Sequence, residues 1–178
     1  MPEPEDCRGI EPLLERIRDA LVEPGLEALG IVADANSDIG SRWQGIQHRA
    51  GTRGIVLPNN PDPVGTIVAA TEDTPRVGVW LMPNNADSGE LEDFVAQMIP
   101  QDDPVWPRSQ DYIDRIPAEH QKFAANKTTR AQVYAWLATR EDPRQMGLAI
   151  MTGDLKTDGI LAQAFVHWLN RLFGDPPA

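Results

Sequence analysis

The chain has 178 residues, enough for one domain with a proper core, and its 41% apolar and 24% charged residues are an ordinary globular balance. Its 27 acidic against 16 basic residues give a net charge of −11. That weighs against broad electrostatic binding to nucleic acid, which needs a basic surface to displace counterions.

Cys7 is the single cysteine, so no disulfide can form within the chain. No apolar run approaches membrane-spanning length, and the acidic start Met1-Pro2-Glu3-Pro4-Glu5-Asp6 lacks the basic and apolar stretches of a signal peptide. These features predict a cytoplasmic protein with no membrane partner, in which the Asn126-Lys127-Thr128 sequon has no role. The 16 prolines and 14 glycines are scattered between periodic segments and read as loop punctuation.

Residues 1–9 read as a loose leader, 10–173 as one domain and 174–178 as a tail. Ile10, Leu13, Leu14, Ile17 and Leu21 fall on one helical face, which Pro24-Gly25 ends. The apolar run Ala28 to Ala33 predicts a strand buried on both faces. Ile39, Trp43, Ile46 and Ala50 predict the next helix. Strands are expected at Gly54 to Leu57, Thr66 to Thr71 and Arg76 to Met82, the last being the most apolar and so the most central. Leu91, Phe94, Val95 and Met98 mark a helix, with Asp87 and Glu90 spaced as a capping box. Further helices are expected at 108–116, after Thr128 or Thr129, and from Ile160 to Leu172, the last ended by Gly174 and Pro176-Pro177. This order predicts an α/β sheet flanked by helices, with a helical C-terminal part.

Ligands of open α/β sheets bind beyond the carboxyl ends of the strands. Asp34 stands at such an end, and Asp34, Asn36 and Asp38 alternate as oxygen ligands for a hard cation such as Mg²⁺ would. The same residues also suit a turn and a helix cap. A second acidic run, Asp87 to Asp93, follows the strand ending at Met82. Glu92 or Asp93 would complete a metal site, or else simply favour the start of a helix through its dipole. Arg42, one turn into the helix after Asp34, is a candidate for phosphate. Phosphate-binding glycine loops, a serine nucleophile elbow and a zinc-ligand spacing are all lacking. The five tryptophans sit on apolar stripes or strands and read as core.

Gly30-Ile31-Val32-Ala33-Asp34-Ala35-Asn36 with Arg42-Trp43 is one distinctive block. Val77-Gly78-Val79-Trp80-Leu81-Met82-Pro83-Asn84-Asn85 through Gly89-Glu90-Leu91-Glu92-Asp93-Phe94 is a second. Ala135-Trp136-Leu137-Ala138 and Phe165 to Phe173 complete the set. Together they resemble an uncharacterised bacterial and archaeal Toprim-like family, a domain of unknown function. The resemblance implies a mainly parallel central sheet, an Mg²⁺ site and chemistry on phosphodiesters. It implies that Asp34 and position 36 correspond to the family's D-x-D pair, with Glu92 a third ligand.

Two departures stand out. Position 36 is Asn, one negative charge short, and the glutamate strand that precedes D-x-D is lacking; Glu23 lies too close to Asp34 to replace it. The departures favour a degenerate, non-catalytic binding or assembly module over an Mg²⁺-dependent nuclease-like enzyme acting on nucleic acid. Any Mg²⁺ binding is expected to be weak. The missing strand also predicts an uncovered sheet edge, filled by a homodimer or a partner protein.

Overall fold

The computed structural model describes residues 3–143 and 145–174. They fall into two compact units, Met1–Ser88 with Ala164–Ala178, and Gly89–Gln163. Both lie in the span read as one domain. Met1 and Pro2 of the leader, and Pro176-Pro177 after the last helix, lie outside the described residues.

The first unit is built on three strands, β1 (Ala28–Asp34), β2 (Thr66–Val68) and β3 (Arg76–Met82), in the order β1-β3-β2. β1 and β3 are parallel, with Asp34 opposite Met82, while β2 is antiparallel to β3. The sheet is thus small and mixed where a mainly parallel one was expected. The connections explain this. A parallel crossover needs a dozen or more residues, and Val68 is too close to Arg76 to allow one. The run from β1 to β3 has room for helix α2 (Ile39–Gly51). β3 is central, as its apolar sequence predicts, and β1 lies at an edge.

Side chains alternate across the sheet. Ile31, Ala33, Val77, Val79 and Leu81 meet Ile17 of α1 (Ile10–Ala20) and Trp43, Ile46 and Ala50 of α2 in one core. The opposite face is seated on glycine. Gly30 and Gly78 are register partners, and Cβ atoms placed there would stand 3.1 and 2.5 Å from Leu172 Cδ2. Leu172 belongs to α7 (Ile160–Phe173), whose Trp168 and Phe165 pack around Trp80 at 5.8 and 5.2 Å between ring centroids. Trp168 Nε1 donates to the Thr66 carbonyl at 3.2 Å. Arg76 Nη1 donates to the Leu172 and Gly174 carbonyls at 3.0 and 3.1 Å, closing the end of α7.

The segment Gly54 to Leu57 is not a strand. It alternates as one would, with Ile55 and Leu57 buried and Val56 82% exposed, but it pairs with no strand among the described residues. Its neighbour Pro58 is fixed instead through its carbonyl, which accepts from Trp43 Nε1 and Gln47 Nε2.

The described elements of the second unit are helical: α3 (Leu91–Ala96), α4 (Trp106–Asp114), α5 (Thr128–Leu137), α6 (Met146–Met151) and two short 3-10 turns. Val133, Trp136 and Leu137 of α5 are fully buried, with Phe94 and Val95 of α3 and Ile113 of α4 also in the interior. Arg140 stacks on the Trp136 ring, 4.3 Å from its centroid. No described helix is long and apolar enough to cross a membrane.

Candidate functional site

The carboxyl ends of β1 and β3 lie side by side, because Ala35 N donates to the Met82 carbonyl at 3.1 Å. Asp34 closes β1, and its carbonyl accepts from Arg42 Nε at 2.8 Å. Arg42 is therefore anchored at the strand end. Asn36 follows at φ 55°, in the left-handed region that Asn tolerates better than most residues.

Asp38 is the N-cap of α2. Its carboxylate accepts from Ser41 N at 3.0 Å and Ser41 Oγ at 2.8 Å. Those two bonds, the backbone one foremost, hold its carboxyl below the usual range. Of the two roles open to Asp38, capping is the one its geometry satisfies.

The end of β3 is finished by a turn. β2 reaches only as far as Val79, opposite Thr66, so Leu81 has no strand on that side. Asn85 takes the strand's place: Leu81 N donates to Asn85 Oδ1 at 2.7 Å, and Asn85 N donates to the Leu81 carbonyl at 2.8 Å. To do this Asn85 sits at φ 62°, only 2% exposed. Its Nδ2 is buried without a hydrogen-bond partner among the described residues. Asn84 braces the same turn, accepting from Ala86 N and Asp87 N and donating to Asp87 Oδ2. Asp87 is thereby used in the turn. The capping box of α3 is formed by Glu90 and Asp93, not by Asp87 and Glu90.

Glu92 and Asp93 belong to the second unit. Glu92, 5% exposed, faces Arg130, whose Nε donates to Oε1 at 2.9 Å. Glu90, 4% exposed, accepts from Lys127 Nζ and lies 3.4 Å from Arg130 Nη2. Asp93 Oδ2 accepts from Glu90 N at 2.8 Å. Two buried carboxylates are thus matched by two cations from the start of α5, the arrangement that buried charge requires. Asp34, Asn36, Asp38 and Arg42 share the first unit. Among the described residues, no three His, Cys, Asp or Glu side chains are grouped as a metal site.

A family described as protein of unknown function, DUF3226, matches residues 2–174. The chain belongs to this family. No curated protein and no solved structure matches it.

In this DUF3226 member, sequence reasoning missed Asn85, Lys127 and Arg130. The signal for the two cations was present, since Lys127 and Arg130 are one helical turn apart and two acids stand at Glu90 and Glu92. The pairing joins residues 38 apart in sequence, which periodicity alone does not reveal.

Proposed function

We propose that this DUF3226 member is a Toprim-like protein that does not turn over substrate and serves in the cytoplasm as a binding or assembly module. The observation that carries the reading is the Glu92–Arg130 pair. In the Toprim comparison Glu92 would be the third ligand of an Mg²⁺ ion. Here a guanidinium already occupies its carboxylate, and an arginine is not deprotonated to make way for a metal. Asp38 is spent on the cap of α2, and Asn36 brings a neutral oxygen where the D-x-D pair would bring a charge. Affinity for hard cations follows ligand charge, so Mg²⁺ binding through Asp34 and Asn36 is expected in the millimolar range.

The competing reading, an Mg²⁺-dependent nuclease-like enzyme with Asp34, Asp38, Glu92 and Asp93 on the metal and Arg42 on phosphate, draws on Asp34 and Arg42 standing together at a strand end. Calorimetric titration with Mg²⁺ and Mn²⁺, on wild type and Asp34→Ala, separates the two when run beside a plasmid-cleavage assay. The proposal expects no micromolar binding and no cleavage. Micromolar binding abolished by Asp34→Ala, with cleavage, would establish the enzyme.

A further inference from the structure

β1 ends one side of the sheet and, among the described residues, pairs with β3 alone. Arg76 N donates to the Glu27 carbonyl at 3.0 Å, and Ala35 N to Met82 O. Backbone groups of successive strand residues point to opposite edges. Residues 29, 31 and 33 therefore serve β3, while Ala28, Gly30, Val32 and Asp34 turn theirs outward. Arg42 confirms the direction, since it reaches the Asp34 carbonyl from α2. The edge from Ala28 to Ala33 carries no charge and no proline, the usual guards against strand addition. Val32 is 41% exposed.

We propose that this edge pairs antiparallel with the same edge of a second copy of the chain, about a twofold axis at Ile31. The inference rests on the assembly reading above and names the partner. Only this register overlaps the whole of β1. It sets each Gly30 opposite the other copy's Val32, where their outward backbone groups exchange hydrogen bonds. Gly30 and Val32 lie on the α7 face, and the Phe173 ring covers Gly30, its Cζ standing 3.0 Å from where a Cβ would be. Each exposed Val32 therefore lands beside the other copy's half-buried Phe173.

One pair of opposite charges, Arg42 and Glu27, also comes within reach. The register brings Asp34, with Arg42 on its carbonyl, opposite Ala28 of the second copy, next to that copy's Glu27. Among the described residues, neither Arg42 nor Glu27 makes an ion pair within 4.0 Å in its own chain. The contact is isologous, so both complements occur twice and the assembly closes at two copies.

Light scattering on the full chain at tens of micromolar should give twice the 19.7 kDa chain mass. Val32→Lys should weaken the dimer at least about tenfold while leaving the far-ultraviolet circular dichroism spectrum unchanged, because a charge on a surface edge blocks pairing without entering the core. Glu27→Arg should weaken it too, and combining Glu27→Arg with Arg42→Glu should restore it. A monomeric wild type, or a dimer indifferent to Val32→Lys, overturns the proposal. A dimer that also cleaves plasmid with Mg²⁺ overturns the non-catalytic reading and leaves the interface standing.

Discussion

Asp38 and Asn85 show how single side chains finish the strand ends. Asp38 keeps its charge more readily folded than unfolded, because the Ser41 N–H and hydroxyl bond the carboxylate. Its contribution to stability is complete above its ordinary value near 3.8 and fades as the pH falls through the lower folded value. Asp38→Asn, which keeps the cap without the charge, should therefore remove this part of the acid sensitivity in melts taken across the acid range. Asp38→Ala should lower the melting temperature at neutral pH. Asn85 supports β3 through Oδ1, so Asn85→Gly, which tolerates φ 62°, still strands the buried Leu81 N–H at a cost of about 1–3 kcal/mol. Asn85→Ala should cost about 1 kcal/mol more, from the left-handed backbone. Equal denaturant midpoints for the two would show that backbone conformation does not matter there.

At the scale of elements, α7 carries the clearest dependence. Gly78 is where the sheet admits Leu172, with Cδ2 at 2.5 Å and Cδ1 at 2.9 Å from a Cβ placed on that residue, and Leu172 is fully buried. Gly78→Ala should destabilise by about 1–3 kcal/mol, as overpacking of a filled core does. Trp168→Phe should keep most of the packing and lose about 1 kcal/mol with the bond to Thr66. Chemical denaturation of both variants checks the order. The α7 stripe was legible in the sequence, as were α1, α2, β1 and β3, because a long buried face imposes its period on many residues. The glycine seat beneath α7 was not, since what a glycine leaves room for depends on a neighbour distant in sequence. β2 was expected at Thr66 to Thr71 and stops at Val68, the Gly54 to Leu57 segment was misread as a strand, and α6 was missed. Three to six residues give periodicity too little to work with.

At the scale of the whole chain, α/β architecture with a helical later part followed from the order of apolar runs. The direction of the strands followed from loop lengths that were available but unused. Of the candidate site, the position of Asp34 at a strand end was legible, and so was the capping role open to Asp38. The partners of Glu92 were not, because a carboxylate has the same one-letter code whether it meets a cation from solvent or an arginine from its own fold. That difference bears on function. The metal site was read from residue types alone, while the chemistry depends on which charges those residues already neutralise.

Calorimetric titration of the full chain with Mg²⁺ is the direct test. Below the millimolar range no saturable heat is expected, and wild type and Asp34→Ala should give the same trace there. Saturation at micromolar Mg²⁺ that disappears in Asp34→Ala would contradict it, and would return the chain to the metal-dependent enzymes.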